Sequence, residues 1–142
     1  MARILVVDTN VFVSALLGKG AANRVVAECV AGEREPLMGA ALLAEYEAIL
    51  GRTALWARSR LIESEREEVL DAFLARCRWV RIFFAWRPNL RDEADNHIVE
   101  LAVAGAADAI VTSNVRDFRV ASELRFPELA VLTPAQLLRR GK

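Results

Sequence analysis

Acidic side chains at the ends of apolar segments are the residues of this sequence with the clearest capacity for chemistry. Asp8 directly follows the apolar run Ile4–Val7, and Asp95 lies where a later apolar segment begins. Carboxylates that crowd together repel one another, which raises their pKa values unless cations neutralise them. Mg²⁺ and Mn²⁺ are hard cations that prefer such oxygen ligands. One or two of these ions can activate water and stabilise the charge that builds on a phosphate during hydrolysis, without any histidine.

Asp8 interrupts a stretch that is otherwise apolar on both sides. A carboxylate in that position is expected to be partly buried and to need a partner cation. The alternative interpretation is structural, since an aspartate before a helix is a common N-cap residue.

A second acid comes from the predicted helix Ala40–Leu50. Glu45 lies three residues after Leu42 and four before Ile49, so it borders the apolar stripe of this helix. Glu47 borders the other side of the same stripe. The helical spacing alone therefore leaves the choice between Glu45 and Glu47 open.

Three further acids flank later elements. Asp92 is a plausible N-cap with Asp95 as its capping-box partner, whereas Asp95 also precedes Ile98 by three residues and so is expected to point inward. Asp117 follows Thr112 by five residues in a predicted turn, where it could complete an acidic cluster. His97, the single histidine, is expected to be an exposed or satisfied helix residue rather than a base.

Short β-branched runs alternate with helical patterns along the whole chain, which indicates an α/β fold of three layers around a central, mostly parallel sheet. The carboxyl ends of parallel strands form a common rim where ligands bind. Asp8 and the segment 112–114 are expected to share that rim if their strands are neighbours. The predicted strands are 4–7, 36–38, 79–86, 109–112 and 130–132, and the predicted helices include 40–50, 64–77 with a Ser64–Glu67 capping box, 93–104 and 134–140.

Length and composition limit the domain organisation and the possible modes of binding. The chain has 142 residues, 54% of them hydrophobic, and a formal net charge of zero. One domain spanning 1–142 can therefore bury an adequate core, and binding of nucleic acid by bulk charge alone is disfavoured.

Cys29 and Cys77 are expected to be buried free thiols. With no signal peptide and no apolar run near the ~20 residues that span a membrane, a cytoplasmic protein without a membrane partner is expected.

The whole chain resembles the PIN-domain family, in particular the small bacterial PIN proteins assigned to toxin–antitoxin systems. Five segments in order resemble motifs of that family: VVDTNVFVSALL at 6–17, LLAE at 42–45, RDEADNHI at 91–98, ADAIVTSN at 107–114 and LTPAQLL at 132–138.

The resemblance implies a particular set of site residues. It favours Glu45 over Glu47 and places the third acid at Asp95. Many relatives have an aspartate where this chain has Asn114, while others carry the acid three residues later, so the fourth acid is assigned to Asp117. The implied catalytic and metal-binding residues are Asp8, Glu45, Asp95 and Asp117, with secondary roles for Asn10, Asp92, Thr112 and Asn114.

The resemblance also implies a function. The expected protein is a Mg²⁺- or Mn²⁺-dependent endoribonuclease that cleaves single-stranded RNA, forms a homodimer and is the toxin of a toxin–antitoxin pair, held inactive by an antitoxin protein. The alternative is a catalytically silent PIN module that binds RNA or a protein partner, which Asn114 favours and four retained carboxylates oppose.

Two other classes of enzyme fit the sequence poorly. Haloacid-dehalogenase-like phosphatases need a second aspartate two residues after the first, and Asn10 stands at that position. A dinucleotide-binding domain is also disfavoured, because the first strand is not followed by GxGxxG.

Overall fold

A computed structural model describes residues 2–18, 20–57, 59–82, 96–116, 118 and 129–140. The strands are β1 (Ile4–Val7), β2 (Glu35–Met38), β3 (Arg78–Trp79), β4 (Ala109–Val111) and β5 (Ala130–Leu132). The helices are α1 (Thr9–Leu16), α2 (Gly20–Val30), α3 (Ala40–Leu50), α4 (Glu63–Arg76), α5 (Asn96–Ala104) and α6 (Pro134–Arg140), with a 3₁₀ turn at Thr53–Trp56.

The five strands form one sheet in the order β3-β2-β1-β4-β5. Every pairing between these strands is parallel, so the predicted three-layer α/β fold around a mostly parallel sheet is confirmed. The chain moves outward from β1 through β2 to β3 and then returns to β4 on the other side of β1. The strand order thus changes direction between β1 and β4, and ligands in such sheets bind at that point, beyond the carboxyl ends of the strands.

An aromatic cluster joins three of the helices over the sheet. The ring centroid of Phe12 on α1 lies 4.8 Å from that of Tyr46 on α3 and 5.3 Å from that of Phe73 on α4. All three side chains are fully buried. The hydroxyl group of Tyr46 donates a 2.6 Å hydrogen bond to the carbonyl oxygen of Val7. This contact fixes α3 against the last residue of β1, immediately before Asp8.

Several local predictions need correction. The capping box of α4 is not the predicted pair of Ser64 and Glu67. The helix begins at Glu63, and the side chain of Glu65 accepts a 2.9 Å hydrogen bond from the N–H group of Ile62. The strand predicted over 79–86 is Arg78–Trp79, and its predicted continuation from residue 83 lies outside the described residues. Both cysteines are free as predicted, but only Cys29 is buried, since Cys77 is partly exposed.

Candidate active site at the carboxyl ends of β1 and β4

Asp8 lies at the point where the strand order changes direction. Its backbone N–H group donates a 2.9 Å hydrogen bond to the carbonyl oxygen of Val111, the last residue of β4. The residue is 5% exposed. It occupies the N-cap position of α1, yet its side chain makes no capping hydrogen bond. The carboxylate instead has partners among neighbouring polar side chains.

Two side chains bind the same oxygen atom of that carboxylate. The hydroxyl group of Thr112 donates to Oδ2 of Asp8 at 2.7 Å, and Nδ2 of Asn10 donates to it at 2.9 Å. The segment after β4 is held in turn, because Ser113 N–H donates to Oδ1 of Asn10 at 3.1 Å and Asn114 N–H donates to Oγ1 of Thr112 at 3.0 Å. The structure thus brings together the polar residues that follow β1 and β4.

Glu45 projects from the middle of α3 and binds residues of two other helices. Oε1 accepts a 2.8 Å hydrogen bond from the hydroxyl group of Thr9 at the start of α1. Oε2 lies 2.7 Å from Nε2 of His97, in the first turn of α5. Because Thr9 follows Asp8 directly in the chain, these contacts connect Glu45 with the end of β1.

The two carboxyl groups have pKa values shifted in opposite directions. Burial raises the pKa of Asp8 above its usual value, and the negative charge of Glu45 adds to that rise, while the hydrogen bond from Thr112 opposes it. The hydrogen bond with His97 lowers the pKa of Glu45, and the hydrogen bond from Thr9 contributes in the same direction. Asp8 is thus the carboxylate whose negative charge the protein stabilises less well.

The remaining acids of the sequence prediction are placed as follows. Glu47 is exposed and lines a different cleft of about 350 Å³ between α3 and α4, together with Glu63 and Glu67. Asp92, Asp95 and Asp117 lie outside the described residues, so their predicted roles stay predictions.

Thr9 and His97 are site residues that the sequence reasoning did not select. His97 was expected to be exposed or satisfied, and its Nε2 is indeed satisfied, but by the carboxylate of Glu45. The sequence holds a signal for this position, because His97 precedes the buried Leu101 by four residues and so borders the buried stripe of α5. Thr9 gives no comparable signal, since a threonine after a strand is common at helix starts.

The donor set suits a hard divalent cation. A buried carboxylate needs a compensating charge, and no salt bridge joins Asp8 to a cationic side chain within the described part of the chain. Oxygen atoms of Asp8 and Glu45 are the ligand type that Mg²⁺ and Mn²⁺ prefer. The described residues alone contain no group of three or more acidic, histidine or cysteine side chains arranged to hold a metal ion. Completing such a site thus requires ligands from the other predicted acids or from water.

Comparison with known proteins gives the family. The family model described as PIN domain matches residues 4–116, which is most of the chain, and the chain belongs to this family. PIN domains are generally nucleases that use divalent metal ions. The chain is also similar in fold to a protein of the crystal structure of VapBC2 from Rickettsia felis bound to a DNA fragment from their promoter.

That structural match has a TM-score of 0.58 and 22% sequence identity, and it covers 90% of this chain and 96% of the other. No curated protein matches the sequence. Among the helices of the described residues, none is long and apolar enough to cross a membrane.

Proposed function

We propose that this chain is a Mg²⁺- or Mn²⁺-dependent endoribonuclease that cleaves single-stranded RNA. The observation that carries the proposal is the buried carboxylate of Asp8 at the change of strand order, linked through Thr9 to Glu45. The PIN family of nucleases supports the same reaction class. Asp8 and Glu45 would hold the ion, together with Asp95 and Asp117, which the resemblance to the family assigns to the same site.

The chain's own residues prepare the site for an ion. Thr112 and Asn10 both bind Oδ2 of Asp8 and thereby fix the direction of its carboxylate. The hydroxyl group of Thr9 binds Glu45 in a similar way. A divalent ion bound there would activate water and stabilise negative charge on the phosphate. The fixed carboxylates reduce the reorganisation that binding the ion requires.

The same proposal includes a biological role as the toxin of a toxin–antitoxin pair, in the cytoplasm and as a homodimer. The Rickettsia felis structure is a VapBC2 complex with promoter DNA, and it motivates the search for an antitoxin encoded beside this chain. Purification of the chain co-expressed with the neighbouring open reading frame tests for the partner, and sedimentation of the isolated chain tests for the dimer.

Metal-dependent cleavage of single-stranded RNA tests the enzymatic proposal directly. Purified protein is incubated with single-stranded RNA and with DNA of the same sequence, in manganese, in magnesium and in excess chelator. Cleavage of the RNA that chelator stops and that Glu45→Gln reduces strongly is the expected result. Glu47→Gln is the matched control, since it makes the same change on the same helix at an exposed position, and it should cleave at the wild-type rate. Equal activity in chelator would overturn metal dependence.

The alternative is a non-catalytic PIN module that binds RNA without cleaving it. Asn114 favours this alternative, because the resemblance to the PIN family implies an aspartate at this position in many members. Calorimetric titration with manganese separates the two possibilities. Binding of manganese together with RNA cleavage supports the enzyme, whereas RNA binding without manganese binding supports the silent module.

A further inference from the structure

We infer that His97 is a positioning residue of the active site, which holds the carboxylate of Glu45 in place for the metal ion and ties α3 to the start of α5. The inference rests on the proposed metal-dependent function and adds a residue to it. His97 has no role in the site predicted from the sequence.

Glu45 is held at both of its oxygen atoms by residues from different helices. Oε2 lies 2.7 Å from Nε2 of His97 on α5, and Oε1 lies 2.8 Å from the hydroxyl group of Thr9 on α1. Two contacts on separate oxygens prevent rotation of the carboxylate about its last bond. Each oxygen has two lone pairs, so each retains one that can bind a cation while the hydrogen bond persists.

This restraint matters because the side chain of Glu45 is 40% exposed. A half-exposed glutamate on a helix has several accessible rotamers unless its carboxylate is bound. The side chain of His97 is only 19% exposed, so it is the more tightly packed of the two. The more rigid ring therefore fixes the position of the more mobile carboxylate.

The surroundings of the ring favour positioning over proton transfer. Nε2 faces a carboxylate, which only accepts hydrogen bonds when ionised, so Nε2 is the atom that donates. Nδ1 is buried and has no hydrogen-bond partner among the described residues. Neither nitrogen is thus open to a substrate, and the contribution of His97 passes through Glu45.

His97 also lies at the start of its helix, so its contact with Glu45 affects how two helices are placed relative to each other. It is the second residue of α5, and Asp95 precedes it by two residues in the sequence. The contact with Glu45 therefore connects α3 to the end of α5 that follows Asp95. A residue that fixes the helix bearing Glu45 relative to a neighbouring helix should affect metal affinity more than it affects the stability of the metal-free fold.

The test compares variants of the full-length protein that keep or remove the donor. His97→Met and His97→Leu remove it, and His97→Gln retains an N–H donor of similar reach. Hydrogen-bond partners of metal ligands typically contribute about 10–100-fold to metal affinity or activity. Manganese affinity measured by calorimetry should fall by about that factor in the Met and Leu variants and recover largely in the Gln variant. The apo thermal midpoint should change little, and Glu47→Gln should bind manganese like the wild type.

The outcomes separate this inference from the proposed function. Wild-type manganese affinity in a folded Met or Leu variant would overturn the positioning role while leaving the nuclease proposal intact. An equal loss in the Gln variant would also overturn it, because the donor would then be irrelevant. If the wild-type protein itself binds no manganese and cleaves no RNA, the proposed function fails first. Two donor-free variants guard against one of them failing to fold.

Discussion

The hydroxyl group of Thr112 donates a 2.7 Å hydrogen bond to Oδ2 of Asp8, and this contact joins two residues separated by 104 positions in the sequence. Both residues are buried. Each follows the last residue of its strand, and the last residues of β1 and β4, Val7 and Val111, are paired in register. The sheet register therefore places the donor beside the carboxylate, and the same hydroxyl group accepts the N–H group of Asn114.

Thr112→Val is expected to weaken both the fold and the site. Valine has nearly the same shape but no hydroxyl group, so the buried carboxylate of Asp8 loses one donor and Asn114 N–H loses its acceptor. Leaving a buried polar group without its partner costs about 1–3 kcal/mol, and urea unfolding should show a loss of that size. Thr112→Ser is the control, because it retains the hydroxyl group. Equal stability of the Val and Ser variants would contradict the importance of this hydrogen bond.

Asp8→Asn is expected to make the metal-free protein more stable at neutral pH. Because burial raises the pKa of Asp8 above its usual value of 3.8, the folded state holds the proton more tightly than the unfolded state. That stabilisation is complete below pH 3.8 and is lost as the pH rises through the folded pKa. The asparagine variant has no charge to bury, and its side-chain oxygen can still accept from Thr112 and Asn10.

Thermal unfolding in chelator from pH 3 to pH 8 measures this effect. The stability difference between Asp8→Asn and the wild type should be greatest at neutral pH and should shrink toward the acid end. Glu45, whose pKa is lowered, is present in both proteins and largely cancels from the difference. Added manganese should raise the midpoint of the wild type by mass action and should have little effect on the variant. A variant that is less stable than the wild type across the neutral range would contradict the prediction.

Tyr46→Phe tests the hydrogen bond that joins α3 to the end of β1, next to the site. The Tyr46 hydroxyl group is fully buried and donates to the carbonyl oxygen of Val7 at 2.6 Å. Phenylalanine keeps the packing against Phe12 but leaves that carbonyl group without this donor, so the free energy of unfolding should fall by about 1 kcal/mol or somewhat more. Metal affinity should fall less than it does in Glu45→Gln. A variant of wild-type stability would show that the hydrogen bond adds nothing net.

The sequence predicts the elements near the site well because their apolar patterns are strong. The strand Ile4–Val7 and the helix Ala40–Leu50 have the predicted bounds. Buried strands and amphipathic helices follow directly from hydrophobic periodicity. The sequence also predicts that Asp8 and Thr112 share one rim if their strands are neighbours, and β1 and β4 are paired.

Contacts that depend on the relative placement of helices are not encoded locally. The pairing of His97 with Glu45 links residues 52 positions apart, and helical spacing alone could not decide whether Glu45 or Glu47 faces the site. The capping box of α4 was misplaced for a related reason. Ser64 and Glu65 both suit a helix start. The sequence pattern favours a capping box of Ser64 and Glu67, but in the structure the side chain of Glu65 accepts the hydrogen bond from the N–H group of Ile62.

Asn114 and Asp117 are the two candidates for the fourth ligand of the proposed metal site. Asn114 is exposed, and its N–H group is held by Thr112, which itself binds Asp8. The chain after β4 therefore runs past the carboxylate of Asp8. An anionic oxygen attracts a divalent cation far more strongly than an amide oxygen does, especially where water is partly excluded. We therefore expect Asp117 to be the working fourth acid and Asn114 to be a weaker ligand or a holder of water.

Three variants decide between these two residues. Asp117→Asn should reduce manganese affinity and RNA cleavage far more than Asn114→Ala does, because it removes a charge and Asn114→Ala removes only a dipole. Asn114→Asp should keep or increase manganese affinity, since it adds a carboxylate to the segment that Thr112 holds. Calorimetry gives the affinities, and cleavage of one RNA oligonucleotide at saturating manganese gives the rates. An inactive Asn114→Ala beside a fully active Asp117→Asn would assign the fourth ligand to Asn114 and leave Asp117 as an ordinary turn residue.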